Sequence, residues 1–331
     1  MKAIVHTAVA LIPALLLTLG AAAFAAEDAP NPYAEQGWAQ LPDGRRLGQV
    51  SAIDVAPNGT IWIGERCGAN GCADNNVPPI IQFDAAGKML KTFGAGIFVI
   101  PHGLAVDRDG NVWVADQQGK GNKGHVVVKL STDGKVLMTL GKPGVMGATD
   151  DTFNQPSDVA IAPNGDIFVA DGHGGDSNAR IVKFSKDGRF IKAWGKKGSA
   201  PGEFDTPHGL AFDSQGRLFV ADRSNNRIQI FDQDGRFLAE WKQFGRPSGI
   251  FIDAHDTLYV ADHLSNTKIN AGYRRGIRIG SARDGVVRAF IPGLGADAES
   301  HSVGEGVAAD AAGDVYMAET IGMTVRKFMR R

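Results

Sequence analysis

The sequence predicts an all-β protein, a six-bladed β-propeller, and three observations support this fold. A pattern of 17 residues occurs six times without a gap, hairpin-forming sequences follow most of the copies, and no long helical period occurs after residue 25. An internal repeat determines the whole architecture, so it is weighed before any single element. Four strands per repeat are typical of a propeller blade.

Each copy of the pattern supplies two strands, separated by a turn of the Asn-Gly or Asp-Gly type. Apolar alternation on both sides of such a turn is typical of antiparallel hairpins. The copies begin at Val50, Pro101, Pro156, Pro207, Pro247 and Gly304. A second hairpin, such as IIQFDAAGKMLKTFG or RIQIFDQDGRFLAEW, follows most copies. The two hairpins together complete a four-stranded blade.

The sixth copy is incomplete, because only TVRKFMRR remains before the sequence ends. That segment provides one strand where two are needed. We expect WAQLPDGRRLG, residues 38–48, to supply the missing strand from the N-terminal side and to close the ring without an open edge. A single propeller domain then spans residues 26–331.

The first 25 residues have the composition of an export signal. Lys2 precedes the apolar run AVALIPALLLTLG, and Ala23-Phe24-Ala25 fits the small-x-small rule for cleavage. The alternative is an uncleaved membrane anchor, for which the apolar run is short. We therefore expect a periplasmic or secreted protein that is not inserted in the membrane after cleavage.

Charge and cysteine content narrow the partners and the compartment. The chain has 35 Lys and Arg against 36 Asp and Glu, interspersed along its length, so no nucleic-acid partner is expected. Cys67 and Cys72 are the two cysteines, and in an oxidising compartment such a close pair favours a disulfide over a metal site. A closed propeller can function as a monomer, and that is the oligomeric state we expect.

The second residue of each copy forms a ring around the channel, because the first strand of a propeller blade lines the axis. The ring consists of Ser51, His102, Ser157, His208, Ser248 and Glu305. Metal-ligand residue types therefore alternate with serines. Two histidines and a carboxylate with open positions suit a transition metal, with Zn²⁺ the leading ion. The alternative is that these polar residues are solvated or cap turns.

A second ring follows the ends of the second strands, at Arg66, Gln117, Gly172, Arg223, His263 and Thr320. Its two arginines suit a substrate that carries a carboxylate. The alternative for Arg223 is a salt bridge with the adjacent Asp222. The aspartates repeated at the strand ends are expected to have a structural role in turns, at Asp116, Asp171, Asp222 and Asp262.

The units resemble NHL repeats, and the chain resembles the peptidyl-alpha-hydroxyglycine alpha-amidating lyase family. The resemblance is densest in QPSDVAIAPNGDIFVADGHGGDSNARIVKFS and FDTPHGLAFDSQGRLFVADRSNNRIQIF, and it extends to VIPHGLAVDRDGNVWVAD. It implies that His102 and His208 bind zinc and that Arg66 and Arg223 are active-site arginines. The residues whose backbone carbonyls it implies as ligands of a channel calcium are Ile53 and Leu104.

Three positions depart from the family pattern. The third zinc histidine is replaced by Glu305, the calcium aspartate by Gly306 and the catalytic tyrosine by His173. Glu305 can still bind zinc, and His173 can act as a general base near neutral pH. His301 is a further candidate ligand. Of the implied ligands and residues, the calcium is affected most, because Gly306 has no carboxylate to bind it.

The resemblance implies a metal-dependent lyase that cleaves the C–N bond of an alpha-hydroxy-amide, such as a peptidyl-alpha-hydroxyglycine, and releases an amide and glyoxylate. The substrate class is then a peptide or small molecule with a carboxylate. One alternative is another metal-dependent propeller enzyme, either a lactonase-like hydrolase or a streptogramin-lyase-like enzyme. The other is a non-enzymatic NHL binding module, in which the ring of His102, His208 and Glu305 has no role.

Overall fold

A computed structural model of the protein describes residues 28–293 and 304–331. These residues form 24 strands in six four-stranded antiparallel sheets, together with one short 3-10 helix, Arg223–Asn225. The six-bladed propeller predicted from the repeats is confirmed. The predicted signal peptide, residues 1–25, and the candidate ligand His301 lie outside the described residues.

The first three blades are continuous in sequence, and each runs from the axis outward. Blade 1 contains β2 (Val50–Val55), β3 (Ile61–Glu65), β4 (Ile80–Phe83) and β5 (Met89–Phe93). Blade 2 contains β6 (Pro101–Val106), β7 (Val112–Asp116), β8 (Val126–Leu130) and β9 (Val136–Leu140). Blade 3 contains β10 (Pro156–Ile161), β11 (Ile167–Asp171), β12 (Arg180–Phe184) and β13 (Phe190–Trp194).

The last three blades continue this order, and the final one recruits the first strand of the chain. Blade 4 contains β14 (Pro207–Phe212), β15 (Leu218–Asp222), β16 (Arg227–Phe231) and β17 (Phe237–Trp241). Blade 5 contains β18 (Ile250–Ile252), β19 (Thr257–Asp262), β20 (Gly276–Ser281) and β21 (Val287–Pro292). Blade 6 contains β22 (Gly306–Ala309), β23 (Val315–Glu319), β24 (Thr324–Arg330) and β1 (Tyr33–Gln36).

The core lies between neighbouring blades. One apolar cluster, for example, joins Trp113 and Val127 of blade 2 to Val159 and Ile167 of blade 3. The second strand of each blade is buried almost throughout, because it has a neighbouring blade on either side. The outer strands are partly exposed. This packing holds the inner strands, and the residues they carry, at defined positions around the axis.

A strand from the N-terminal side closes the ring, as predicted. The predicted position of that strand, residues 38–48, was wrong. The closing strand is β1, whose Tyr33 pairs with Arg330 of β24, and not residues 38–48. Trp38 instead packs between blades 1 and 6. Its ring centroid lies 5.1 Å from that of Phe83 and 5.0 Å from that of Tyr316. β1 already occupies the outer edge of blade 6, so the following residues cross to blade 1.

The predicted disulfide is confirmed, since Cys67 and Cys72 are bonded and both are buried in the loop after β3. The amide of Cys72 donates to the carbonyl of Val99, which leads into blade 2.

Within residues 28–293 and 304–331, no helix is long and apolar enough to cross a membrane.

Candidate functional site

The histidines of the inner ring stand at β-bulges. In blades 1 to 4 the pairing of the first two strands shifts by one residue around the second position of the repeat, as between Pro101 and Gly103 and between Pro207 and Gly209. A bulged residue is left out of the ladder, and its side chain is aimed in a new direction. His102 and His208 occupy this position, and both are buried.

Each of these histidines is oriented by the blade that follows it. His102 Nδ1 lies 2.8 Å from the carbonyl oxygen of Ser157, and His208 Nδ1 lies 3.1 Å from that of Ser248. A carbonyl can only accept, so Nδ1 carries the proton in both rings and Nε2 of the neutral imidazole has a free lone pair. Such a carbonyl contact is the usual way in which a metal-binding histidine is oriented.

The serines that alternate with the histidines connect the blades. Ser51 Oγ donates to the carbonyl of Pro101, and Ser157 Oγ donates to that of Pro207. In blades 1 to 4 the ring therefore alternates hydroxyl ties with imidazoles whose Nε2 atoms face Glu305, whereas the Ser248 hydroxyl in blade 5 contacts His263. This alternation gives a structural reason for the histidine in some repeats and the serine in others.

Glu305 lies opposite the two free nitrogens. Its Oε1 is 3.5 Å from His102 Nε2 and 3.2 Å from His208 Nε2, and neither nitrogen makes a hydrogen bond. The two Nε2 atoms and the carboxylate of Glu305 thus converge on one point, an arrangement that a bound cation would stabilise.

His173 joins this group from a glycine-rich loop between β11 and β12. Its ring centroid is 4.7 Å from that of His102 and 5.1 Å from that of His208. One ligand atom of each of His102, His173, His208 and Glu305 lies within 4.8 Å of all the others. Burial and the neighbouring histidines lower the pKa of His173, which favours the neutral ring.

Arg223 connects His173 to Glu305. Its Nη1 is 3.6 Å from Glu305 Oε1, and its Nη2 is 3.5 Å from His173 Nε2. Burial lowers the pKa of Arg223 to about 10, so the guanidinium is still charged at neutral pH. The alternative salt bridge with Asp222 is wrong, because Asp222 pairs with Arg227 at 2.8 Å.

Arg66, the second predicted arginine, lies at the edge of the site. Its Nη1 donates to the side chains of Gln49 and Asn70. Burial lowers its pKa, while the charge of Glu305 opposes that shift, so the two groups interact electrostatically. Its Nε has no hydrogen-bond partner. Arg66 is therefore held near Glu305 without contacting it directly.

The donor set fits a transition metal. In the described part of the chain this is the one group of three or more His, Cys, Asp or Glu residues with ligand atoms close enough to hold an ion. Imidazole nitrogens with one carboxylate are typical of zinc and related divalent metals. The buried and unpartnered Nε2 atoms of His102 and His208 are the observation that supports this fit.

The predicted calcium ligands line the same central cavity as His102, His208 and Glu305. Ile53 and Leu104 line a cavity of about 260 Å³ that opens along the axis. Gly306 also lines it and supplies no carboxylate. Two aspartates that the sequence reasoning missed, Asp54 and Asp158, do face this cavity. Desolvation there raises the pKa of each to about 7.

His263, a member of the second ring, was not recognised as part of the site. Its Nδ1 lies 2.6 Å from Ser248 Oγ, next to the carbonyl that orients His208. Burial lowers the pKa of His263 to about 4, although the charge of Glu305 opposes the shift. Its place in the second ring was the one sequence signal that could have identified it.

The repeated aspartates have the structural role expected of them. Asp116 accepts hydrogen bonds from the amides of Val99 and Ile100, and Asp222 accepts one from the amide of Asp205. Each aspartate thus ties the end of a second strand to the segment that enters the first strand of the same blade. They hold the loops that carry the ring residues.

Comparison with known families and proteins agrees with this fold. Residues 98–128, 153–184 and 204–231 match the NHL repeat family, so the chain carries NHL repeats. These segments include His102, His173, His208 and Arg223.

Relatives of known name match part of the chain. The chain is 36% identical over 201 residues to peptidyl-glycine alpha-amidating monooxygenase A of Xenopus laevis, and 36% identical over 193 residues to NHL repeat-containing protein 3 of Homo sapiens. It is 35% identical over 199 residues to a Caenorhabditis elegans protein named "Probable peptidyl-alpha-hydroxyglycine alpha-amidating lyase pgal-1".

These matches are partial on both sides. They include 54%, 56% and 54% of this chain, respectively. They span 21% of the frog protein, 52% of the human protein and 54% of the nematode protein. The similarity therefore links the chain to lyase-named and NHL-named proteins through about half of its own length.

Solved structures share the fold at low identity. A gluconolactonase from Xanthomonas campestris superposes with a TM-score of 0.59 at 15% identity, over 86% of this chain and 87% of that one. Virginiamycin B lyase from Staphylococcus aureus superposes with a TM-score of 0.54 at 17% identity, over 90% and 89% of the two chains. At such identities the likeness concerns the propeller alone.

Proposed function

We propose that this protein is a metal-dependent lyase that cleaves the C–N bond of an alpha-hydroxy-amide, such as a peptidyl-alpha-hydroxyglycine, into an amide and glyoxylate. One observation carries the proposal. The free Nε2 atoms of His102 and His208 converge on Glu305, and Arg223 lies beside them. The relatives named as amidating lyases support the choice of reaction.

His102, His208 and Glu305 would hold the metal. When bound, a divalent metal such as Zn²⁺ acts as a Lewis acid toward the hydroxyl oxygen of the substrate. The carbonyls of Ser157 and Ser248 keep both imidazoles in the orientation and tautomer that this requires. The protein's contribution is a rigid, buried ring with one open side.

Arg223 and Arg66 would bind the carboxylate of the substrate. A guanidinium can donate two parallel hydrogen bonds to a carboxylate, and burial strengthens that interaction. Arg223 also lies where it can stabilise negative charge that develops during cleavage. Bound in this way, the substrate would have its alpha carbon next to Glu305 and His173.

His173 is the general base in this proposal. Its neutral Nε2 would accept the proton of the substrate hydroxyl as the C–O double bond forms. The electron pair of the C–N bond moves to nitrogen, which takes up a proton and leaves as the amide. The imidazolium of His173 can supply that proton, so the enzyme returns to its starting state.

The signal-like residues 1–25 and the disulfide support a periplasmic or secreted location, which stays part of the proposal. An N-terminal sequence that begins at Ala26 in the exported protein would support it.

The function is tested with an N-acyl-alpha-hydroxyglycine, which contains the hydroxyl, the amide and the carboxylate and no longer peptide. The purified mature protein, loaded with Zn²⁺, should release one amide for each glyoxylate. The double variant His102→Ala and His208→Ala should lose bound metal and activity while it keeps its circular dichroism spectrum.

A panel of lactones is the control for the competing enzyme class. Hydrolysis of lactones by the metal-loaded protein, without glyoxylate from the alpha-hydroxyglycine, would replace the lyase proposal with a lactonase. A protein that binds no transition metal would leave the NHL binding module as the better interpretation.

A further inference from the structure

His173 is placed as a metal ligand is placed. One ligand atom of His173 lies within 4.8 Å of a ligand atom of each of His102, His208 and Glu305. Side-chain rotations that shorten this distance would bring four such atoms around one ion. The three inner-ring residues alone would leave a fourth tetrahedral position open on this side.

The Nε2 atom of His173 is available as an acceptor. Arg223 Nη2 lies 3.5 Å away and, like every guanidinium nitrogen, can only donate. The free lone pair therefore has two alternative partners, the metal and the guanidinium. A side chain with two such partners can leave one for the other without stranding a polar atom.

The loop that carries His173 restrains its backbone and leaves its side chain able to rotate. The amide of His173 donates to Ser177 Oγ at 2.8 Å. Gly172 has a φ of +147° and no room for a Cβ, because the carbonyl oxygen of Asn178 would overlap with it. The loop thus determines where the imidazole begins, and the residue as a whole is half-buried.

We propose that His173 is the fourth protein ligand of the metal in the resting protein, and that substrate displaces it. This inference rests on the metal site of the proposed function and adds a closed, four-ligand resting state. The displaced imidazole would stand beside the incoming hydroxyl, and its Nε2 lone pair would be free to take that proton once Arg223 donates to the substrate carboxylate instead. The residue that closes the site would then be the base that acts in it.

The test counts imidazole ligands without an activity assay. Zinc X-ray absorption of the metal-loaded wild-type protein should show three imidazoles, and His173→Ala should show two. Zinc affinity, measured by competition with a chelator, should fall by at least about 10-fold in the variant, since even partners outside the first ligand sphere are worth that much. His255→Ala, which removes an exposed histidine elsewhere on the propeller, should change neither quantity.

The outcomes separate the two proposals. Zinc bound with the same number of imidazoles and the same affinity in wild type and His173→Ala would overturn the fourth ligand and leave the metal-dependent function standing. Absence of bound transition metal from the wild type would overturn both. His173→Asn, which retains a polar side chain, replaces the alanine variant if that variant does not keep the wild-type melting temperature.

Discussion

At the scale of single residues, the site depends on side chains that the bulged inner strands turn toward the axis. His102 and His208 each use one nitrogen to bind the next blade and leave the other free. Glu305 supplies the charge that these neutral donors lack. A site of this kind should be more sensitive to the charge of the carboxylate than to its shape.

The change Glu305→Gln tests that sensitivity. It keeps the size of the side chain but removes the negative charge opposite the histidines and Arg223, so we expect zinc affinity to fall by at least about 10-fold. Chelator competition measures it. Glu240→Gln, a carboxylate that pairs with Arg227 away from the axis, is the matched control. Equal affinity of Glu305→Gln and wild type would remove Glu305 from the ligand set.

The channel aspartates predict how stability depends on pH. The pKa of Asp54 is raised by desolvation to about 7 in the folded protein, from an ordinary value of 3.8. Between about pH 4 and 7 the folded chain therefore keeps a proton that the unfolded chain releases, and the free energy of unfolding falls as the pH rises. Asp158 contributes in the same direction.

Urea unfolding at several pH values between about 4 and 8 measures this dependence. Asp54→Asn should make the decline with pH shallower, because the variant has no proton to release at that position. An unchanged slope in the variant would mean that Asp54 ionises in the folded protein as it does in the unfolded chain.

At the scale of the structural elements, each blade is held by a buried carboxylate at the end of its second strand. Asp222 in blade 4 accepts from Arg227 Nε at 2.8 Å, and Arg227 also donates to carbonyls of the preceding loop. The pair is buried. These contacts hold the segment that leads into β14 and His208, so the element supports the site indirectly.

Arg227→Met should therefore be strongly destabilising. It leaves Asp222 buried without its cation, and breaking a buried pair in this way costs about 3–5 kcal/mol. Thermal and urea unfolding measure the loss. Arg236→Met in the same blade removes a pair with Asp232 in which the arginine is exposed, and it should cost less than about 1 kcal/mol. Similar losses in both variants would contradict a structural role specific to Arg227.

At the scale of the whole molecule, closure of the ring joins the two ends of the described chain. β1 pairs with β24 over four residues, and Arg326 forms ion pairs with Glu35 and Glu319 across this junction. Tyr33 of β1 packs in the core between blades 5 and 6. Without β1, the edge of β24 would be open to pairing with another chain.

Removal of residues up to Gln36 should lower the melting temperature by at least about 5 °C and promote association of chains. Size-exclusion chromatography and thermal unfolding measure the two effects. A shorter truncation, which removes residues up to Asp28 and so keeps both β1 and the Pro30 carbonyl that accepts from Phe290, is the control and should behave like the full mature protein. A stable monomer after loss of β1 would show that the strand is dispensable for closure.

Much of this fold followed from the sequence because its pattern is repeated. Six copies with the same spacing predicted the blades, the axis and the residues that face it, including His102 and His208. The prediction put the closing strand too far along the chain, from Trp38 onward. A four-residue edge strand such as Tyr33–Gln36 is too short to show a clear alternation of apolar and polar residues. Local pattern identifies strands that recur and misses one that occurs once.

The sequence by itself determined the six blades, the alternating ring, the disulfide and the two arginines, because each depends on residue type at a repeated position or on close spacing. Only the tertiary structure decided how these residues meet. It separated Arg223 from Asp222, brought His173 within ligand distance of the ring and placed His263 against Ser248. These contacts join residues from different blades and loops, and no spacing along the chain encodes the distance between them.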